Sequence, residues 1–375
     1  MIPLFKPSMG NEEIKAVTDV IKSGWVGMGP KTQEFEENFA KFIGTKYAVG
    51  FNSCTAALHL AVKVLNLEPG SEIITTPMTF VSTAFAADYN GLTPVFADIE
   101  RDTLNIDPKD IERKITKKTR AIIPVHFGGH ACKIEEIMEI AKKHNLHVIE
   151  DAAHATGSEI NGKKLGTFGE MSCFSFHAVK NMTIGDGGML VTNHKKHYER
   201  IKRLVWCGID KSTFARQDKE QYSWDYDVKE IGYKFHLNDI LSSIGIVQLG
   251  KLEKMNDRRR QIWNIYSKAF KNLNFIECPV NKKGIKNSCH NYVAKIKTGD
   301  RNSLISYLKE QGVTAGVHYK PVYLYPVYNH IKSNCPVTNE VWTKLITLPV
   351  FPDMTDKEVN LVIEKVIDWG NKNGK

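Results

Sequence analysis

The strongest constraint on the fold is a regular alternation of strand-like and helix-like segments between residues 46 and 153. Short apolar runs alternate there with longer segments of helical length and periodicity. The predicted strands, in chain order, are KYAVGF, EIITTP, PVFADIE, RAIIPVHFGG and HVIEDAA. The predicted helices are TAALHLAVKVLNL, STAFAADYNG and IEEIMEIAKKHN. Because strands joined by helices of this length pair in parallel through right-handed crossovers, the sequence predicts a layered α/β domain.

The segments on either side of this alternation predict further elements. Two amphipathic helices, NEEIKAVTDVIKSG and TQEFEENFAKFIG, come first, and the first carries Ile14, Val17, Val20 and Ile21 on one face. The strand-like segments MSCFSFH and GGMLVTN follow one another without a helix, which predicts an antiparallel or mixed edge of the sheet. The expected fold class is therefore α/β, with a mixed sheet between layers of helices.

The last third of the chain predicts a second, smaller unit. The segment LNDILSSIGIVQLGKLEKMNDRRRQIWNIYSKAF has the pattern of one long helix, or of two, leaving the first domain. Beyond it, NYVAKIK, NSLISYLKEQG and a final helix after LPVFPDMT alternate as in an α/β unit. We expect a large domain over residues 1–250 and a small C-terminal α/β domain over residues 251–375.

Composition excludes several classes of protein. No apolar run approaches the roughly 20 residues of a membrane-spanning helix, and the segment MIPLFKPSMGNEE lacks the apolar core of a signal peptide. The 7 cysteines are scattered without a C-x-x-C pair, which disfavours a disulfide framework and a zinc site. We therefore expect a cytoplasmic protein with reduced thiols, no membrane partner and no metal.

The formal net charge of +9 is compatible with an anionic partner. The basic residues are spread along the chain and interleaved with acidic ones, as in MNDRRRQ, which favours a solvated surface over nucleic-acid binding. An anionic small molecule, such as a phosphorylated cofactor or a nucleotide, remains a plausible ligand.

One candidate phosphate site follows the first predicted strand. In FNSCTAAL, Ser53, Cys54 and Thr55 bring hydroxyl groups and free backbone N–H groups to the start of a helix, where phosphate groups bind readily. The alternative is an ordinary helix N-cap.

A second candidate lies in VIEDAAHA, at the end of a very apolar strand. A buried acid there, Glu150 or Asp151, needs a partner, which is a metal, a cation or a protonated ring nitrogen of a cofactor. His154 follows three residues after Asp151. The alternative is an aspartate that caps the next helix.

The third candidate is Lys180, which separates the apolar runs FSFH and GGMLVTN. A lysine among apolar groups has a lowered pKa and becomes a nucleophilic amine suited to Schiff-base chemistry, whereas an isolated lysine more often extends into solvent. The adjacent GDGG turn does not match the dinucleotide-binding pattern G-x-G-x-x-G. A phosphate cradle, a buried acid and a lysine together match the needs of pyridoxal 5'-phosphate (PLP), and Phe80 at another strand end is a candidate stacking aromatic.

These segments resemble the DegT/DnrJ/EryC1/StrS family of sugar aminotransferases, in the family's order and over almost the whole chain. The matching segments are SGWVGMGP, FNSCTAALHL, PMTFVST, IIPVHFGG, VIEDAAHATGS, FSFHAVKNMTIGDGGMLVTN, GYKFHLNDI and LPVFPDMT. The resemblance implies a fold-type-I PLP-dependent transferase that moves an amino group from L-glutamate to a nucleotide-linked keto-sugar in amino-sugar or surface-glycan biosynthesis, such as that of lipopolysaccharide. Within the family the motifs are most similar to the enzymes making UDP-4-amino-4-deoxy-L-arabinose. This similarity favours amination at C4, with a 3-keto-sugar as the alternative.

The resemblance also implies a role for individual cofactor residues. Lys180 matches the lysine that binds the cofactor aldehyde, and Asp151 matches the partner of the pyridine nitrogen. His154 matches a residue near the 3'-oxygen of the ring, and Phe80 matches the stacking aromatic. The residues that match phosphate contacts are Cys54, Thr55 and Ser175.

Other matched positions concern the partner subunit and the substrate. Lys234, in GYKF, matches a position that reaches the phosphate of the neighbouring subunit, so a homodimer with shared active sites is expected. His318 and Tyr319, in GVHYKP, align with a substrate-side segment. The chain departs from common family residues at Cys54 and Lys234, which affects cofactor contacts, and at Tyr323, which affects sugar specificity.

Three alternative functions are less favoured by the residues. Sugar 3-dehydratases of this type carry histidine in place of Lys180. A non-catalytic regulatory relative would not need the complete set of Lys180, Asp151 and His154. A Rossmann-type oxidoreductase would need the missing glycine fingerprint.

Overall fold

The computed structural model of the protein describes residues 1–210 and 225–373. These ranges contain eleven α-helices: α1 Asn11–Ser23, α2 Pro30–Ile43, α3 Cys54–Lys63, α4 Ser82–Asp88, α5 Pro108–Lys114, α6 Ile134–His144, α7 Lys195–Leu204, α8 Asp239–Phe270, α9 Arg301–Glu310, α10 Pro336–Val341 and α11 Asp356–Asn373. They also contain thirteen β-strands: β1 Tyr47–Phe51, β2 Glu72–Thr75, β3 Thr93–Phe96, β4 Thr119–Ile123, β5 His147–Asp151, β6 Glu159–Ile160, β7 Lys163–Lys164, β8 Met171–Ser175, β9 Gly188–Thr192, β10 Ile276–Glu277, β11 Ile285–Lys286, β12 Tyr292–Ile296 and β13 Leu345–Leu348.

A seven-stranded mixed sheet forms the centre of the protein, with the strand order β1-β9-β8-β5-β4-β2-β3. Neighbouring strands from β3 to β8 pair in parallel, whereas β9 pairs antiparallel with both β8 and β1. The predicted parallel sheet with a mixed edge is therefore confirmed. The carboxyl ends of the parallel strands meet at one edge, where ligands bind in open α/β sheets.

Helices cover both faces of this sheet, as strand β8 illustrates. Cys173 packs in a buried cluster with Leu58 and other residues of α3. The next residue, Phe174, packs edge-to-face on Phe39 of α2, with 5.1 Å between the ring centroids. Because successive side chains of a strand point to opposite faces, these two clusters are the two interfaces of an α/β/α arrangement.

Helix α1 lies where it was predicted, but a different face of it is buried. Val20 is buried, whereas Ile14 and Ile21 are 65% and 57% exposed, so only part of the predicted apolar face is buried within the chain. The helix packs instead on α8 through the buried Glu13, whose carboxylate accepts a hydrogen bond from Gln248 Nε2 at 2.8 Å. The face of α1 that packs on α8 is therefore the one that carries Glu13, and it does not coincide with the apolar stripe.

The C-terminal region is built on a second sheet, β10-β12-β13, which is antiparallel. Its core contains Tyr266 and Phe270 of α8, Tyr292 of β12 and Trp369 of α11. The predicted boundary after residue 250 falls inside α8, which runs unbroken for 32 residues. The division into residues 1–250 and 251–375 accordingly stays a prediction.

The described residues contain no disulfide bond, metal-binding cluster or membrane-spanning helix. All seven cysteines are free. Within residues 1–210 and 225–373, no group of three or more His, Cys, Asp or Glu side chains is placed to hold a metal ion. In the same ranges, no helix combines the length and apolar character needed to cross a membrane.

Candidate active site

Asp151 is a buried carboxylate at the carboxyl end of β5. It is 3% exposed and accepts hydrogen bonds from Thr83 Oγ1 at 2.7 Å and from the backbone N–H of Ala153 at 3.1 Å. Burial raises the pKa of Asp151, although both hydrogen bonds and the charge of Lys180 act in the opposite direction. No side chain in the described part of the chain forms an ion pair with it. A buried acid in this state is suited to a cationic ligand.

Lys180 stands at the same edge of the sheet, in the turn that follows β8. Its backbone N–H donates to the carbonyl of His177 at 2.9 Å, and its side chain is half-buried. Burial lowers the pKa of Lys180 to about 8, against the raising effect of Cys54 and Asp151. A larger share of this amine is therefore neutral and nucleophilic near pH 7 than for an exposed lysine.

The start of α3 forms the proposed phosphate cradle. Ser53 caps the helix, with its Oγ accepting from the N–H of Ala56 at 3.1 Å. The N–H groups of Cys54 and Thr55, at the first two helical positions, have no intrahelical acceptor. A Cβ on Gly188 would lie 2.6 Å from the nitrogen of Cys54, so glycine is needed for β9 to pass this close.

Ser175, the last residue of β8, is buried close to this group. Its Oγ accepts from the backbone N–H of His177 at 3.4 Å. Since one acceptor bond leaves the hydroxyl hydrogen available, Ser175 is able to donate to an anionic oxygen.

His154 has both ring nitrogens engaged within the chain. Nδ1 accepts a hydrogen bond from the backbone N–H of Gly128 at 3.3 Å, and Nε2 lies 3.0 Å from the hydroxyl oxygen of Tyr319. The ring is buried and lies 4.5 Å from the ring of His290, measured between centroids. Burial lowers the pKa of His154 well below its ordinary value, with a further contribution from the charge of Lys180, so the imidazole is neutral.

His318 lies in the C-terminal region, beside strand β13. Its Nδ1 is 2.9 Å from Thr347 Oγ1, and its ring meets that of Phe5 edge-on with 5.7 Å between centroids. Burial lowers the pKa of His318 to about 4, and the charge of Lys180 acts in the same direction. The structure thus brings His318 and Tyr319 into the surroundings of Lys180.

Phe80 and Lys234 are the two predicted residues that face outward. Phe80, just before α4, is 60% exposed, which is unusual for such a large apolar ring. Lys234 is exposed, and its ammonium lies 3.2 Å from the centre of the Trp206 ring. Within one chain, the structure does not join Lys234 to the group around Lys180.

Sequence reasoning missed several residues that shape this site. Thr83 binds Asp151, Gly128 binds His154, and His290 lies between His154 and Phe5, with 5.6 Å between the stacked His290 and Phe5 rings. No local motif marks these contacts, because each joins segments that are distant in the chain. The only available signal was the position of Thr83 in the segment TFVST, next to Phe80.

The residues around Lys180 fit PLP. A buried carboxylate without a cation suits a protonated pyridine nitrogen, a half-buried amine suits an aldehyde, and the start of α3 offers N–H groups to a phosphate. The close passage of Gly188 over Cys54 leaves this cradle free of side chains. A mixed α/β sheet carrying this set at its carboxyl edge defines a PLP-dependent enzyme of the aminotransferase type.

The chain belongs to the DegT/DnrJ/EryC1/StrS aminotransferase family, whose profile matches residues 7–367. Enzymes of this family are PLP-dependent sugar aminotransferases, and the fold is that of the fold-type-I PLP enzymes. This protein is therefore a PLP-dependent aminotransferase of sugars.

Relatives support this assignment over the full length of the chain. An uncharacterised protein of Methanocaldococcus jannaschii is 44% identical over 373 residues, covering 97% of this chain and 96% of its own. The spore coat polysaccharide biosynthesis protein SpsC of Bacillus subtilis is 39% identical, with 98% and 96% covered. Among solved structures, Helicobacter pylori PseC, an aminotransferase of pseudaminic acid biosynthesis, superposes with a TM-score of 0.92 at 32% identity, with 99% of each chain covered.

Proposed function

We propose that the enzyme transfers an amino group from L-glutamate to C4 of a nucleotide-linked keto-sugar, with Lys180 as the catalytic residue. The observation that carries this proposal is the presence of two groups at one edge of the sheet: the Lys180 amine, whose pKa burial lowers to about 8, and the buried Asp151. A lysine at this position favours amino transfer over the dehydration catalysed by relatives that carry histidine there.

Different side chains are proposed to contact the aldehyde, the pyridine ring and the phosphate of the cofactor. Lys180, as a neutral amine, would hold the aldehyde of the cofactor and would serve as the general base for proton transfer. Asp151 would hold the protonated pyridine nitrogen of the cofactor, which supplies an electron sink when bound. Phe80 would contact the face of the cofactor ring, and His154 would lie near its 3'-oxygen. The phosphate contacts are assigned to Cys54, Thr55 and Ser175.

The sugar substrate is proposed from the relatives and from the motifs. SpsC acts in spore coat polysaccharide biosynthesis and PseC in pseudaminic acid biosynthesis, so a role in surface-glycan biosynthesis is the natural proposal here. His318 and Tyr319 are proposed to contact the substrate. A 3-keto-sugar is the second candidate, and the departure from the family at Tyr323 leaves the choice of sugar open to the assay.

The decisive test of this chemistry uses Lys180→Ala, with Lys41→Ala as the matched control, since Lys41 is exposed on α2. Each protein is loaded with PLP and divided into two portions. One portion is treated with borohydride and examined for cofactor attached to the chain, and the untreated portion is assayed with glutamate against a panel of nucleotide keto-sugars. The control should carry attached cofactor after reduction and should form amino-sugar in the untreated portion, whereas Lys180→Ala should show neither result, and normal turnover by this variant would rule the proposal out.

We further propose a cytoplasmic homodimer in which Lys234 contacts the cofactor phosphate of the partner subunit. Lys234 is exposed, and the same segment carries exposed apolar residues, Val228 and Ile231, the latter 93% exposed. An apolar surface of this kind next to an exposed lysine suits a second copy of the chain.

Subunit complementation tests this sharing of sites. Mixed dimers of Lys180→Ala and Lys234→Ala chains should regain activity, because one of their two sites combines an intact Lys180 with an intact Lys234. Each variant alone should be weak or inactive. If mixed dimers stay as weak as the single variants, Lys234 serves its own subunit or no subunit.

A further inference from the structure

We infer that Tyr319 donates a hydrogen bond to an oxygen atom of the bound ligand, and that His154 is a positioning residue that directs the Tyr319 proton outward. This inference rests on the proposed function, because the ligand is the cofactor or the sugar substrate. In this arrangement Tyr319, and not His154, donates the hydrogen bond to the ligand oxygen.

The first step is the protonation state of the His154 ring. A backbone N–H always donates, so the bond from Gly128 at 3.3 Å requires Nδ1 of His154 to be unprotonated. The ring is neutral because burial lowers its pKa. Its single proton therefore lies on Nε2.

The second step follows at Tyr319. With the proton on Nε2, His154 is the donor and the hydroxyl oxygen of Tyr319 the acceptor across their 3.0 Å contact. The phenol hydrogen is then left for a different acceptor. No side chain or backbone group in residues 1–210 or 225–373 takes this hydrogen, and burial together with the charge of Asp151 raises the pKa of Tyr319, so the hydroxyl stays protonated.

The conformation of the loop at Gly128 directs the Gly128 N–H toward Nδ1 of His154. Gly128 and Gly129 adopt φ values of +62° and +93°, in the left-handed region that favours glycine. A Cβ on Gly129 would also lie 2.2 Å from Ser288 Oγ. The backbone conformation that presents the Gly128 N–H to His154 therefore favours glycine, most strongly at Gly129, where a side chain would also clash.

The position of the hydroxyl identifies the chemistry of its acceptor. The rings of His154 and Tyr319 are nearly parallel, with 13° between their planes, and the charge of Asp151 acts on the Tyr319 hydroxyl. A neutral phenol donor near a cationic ring site suits an electron-rich oxygen. This oxygen belongs either to the cofactor ring or to the substrate.

The test compares holoenzyme of Tyr319→Phe with wild type and with Tyr307→Phe, a control that removes a hydroxyl from α9, which packs on the C-terminal core. If the acceptor is the cofactor ring oxygen, Tyr319→Phe should raise the pH midpoint of the visible absorbance change by about one unit. Without the Tyr319 donor, the ring oxygen of the cofactor would keep more of its negative charge. That charge would hold the proton on the nitrogen that joins Lys180 to the cofactor more strongly, so the midpoint would rise.

If the acceptor is a substrate oxygen, the absorbance midpoint stays unchanged and KM for glutamate or for the keto-sugar rises about tenfold. An unchanged midpoint together with unchanged KM values would overturn the inference. A wild-type protein that does not load PLP at all would instead contradict the proposed function, so the two failures are distinguishable.

The positioning role of His154 has its own readout. His154→Gln retains an N–H donor for Tyr319 and should keep most of the wild-type midpoint or KM value, whereas His154→Leu should reproduce the Tyr319→Phe effect. The double variant with His154→Leu and Tyr319→Phe should be no worse than either single variant. Additive effects, or equal loss in both His154 variants, would show that His154 acts independently of Tyr319.

Discussion

Lys180 should react as a partly neutral amine near physiological pH before any cofactor binds. Its pKa is lowered from 10.5 to about 8 by burial, against the opposing effect of Cys54 and Asp151. At pH 7, the difference between these two pKa values makes the neutral fraction of Lys180 roughly 300-fold larger than that of an ordinary lysine. The fold itself therefore activates the nucleophile.

The informative perturbation is Asp151→Asn. Ala153 N–H donates to Oδ1 of Asp151 and Thr83 Oγ1 donates to Oδ2, so an asparagine oxygen in place of Oδ1 keeps the first bond. Its NH2 group, in place of Oδ2, can donate to Thr83 Oγ1, so the packing is retained while the negative charge is lost. Since that charge raises the pKa of Lys180, its removal should move the pKa of Lys180 below about 8. The neutral fraction at pH 7 should increase further, although the variant would bind the protonated cofactor ring less well.

The assay is pulse labelling of the cofactor-free protein with trinitrobenzenesulfonate across a range of pH, with each lysine quantified by peptide mass spectrometry. Lys180 should show a midpoint near pH 8 in wild type and a lower one in Asp151→Asn, whereas the labelling of the exposed Lys41, the internal control, should be the same in both proteins. A wild-type midpoint near 10.5, or an upward move in Asp151→Asn, would refute the argument that burial activates Lys180.

Three further predictions concern other parts of the structure. Gly188→Ala should weaken PLP binding at least tenfold in a titration, because the new Cβ meets the nitrogen of Cys54 at 2.6 Å, whereas Gly10→Ala should have no effect because its Cβ meets nothing within 4 Å. Phe80→Ala should leave the thermal midpoint unchanged, because the ring is exposed, but should raise the dissociation constant of PLP about threefold to tenfold. Hydrogen bonds from two histidines lower the pKa of Glu170 to about 2, so its stabilisation is present above its ordinary pKa of 4.5. The difference in urea midpoint between wild type and Glu170→Gln should accordingly shrink as the pH falls from 4.5 toward 2.

The sheet and the chemical core of the site could be predicted from the sequence because both depend on short-range patterns. Strand β5, which ends at Asp151, and strand β8, which precedes Lys180, are apolar runs with turns at their ends, and parallel pairing brings those ends together. The buried face of α1 could not be predicted, because the carboxylate of Glu13 binds a side chain of α8 more than two hundred residues later. Periodicity indicates which residues are apolar, and it cannot indicate which distant polar group will become a partner.

The same distinction separates the site residues that sequence reasoning found from those it missed. Lys180, Asp151 and Phe80, which we propose to contact the cofactor, each look anomalous for their place in the chain: a lysine between apolar strands, an acid ending a strand, an exposed aromatic ring. Thr83 and Gly128 are satisfied by other residues of the chain, and a satisfied residue leaves no such anomaly. Substitution of the first group should therefore mainly reduce ligand binding and leave the fold intact. Substitution of the second group should alter the packing first and reach the chemistry only through the residue that it positions.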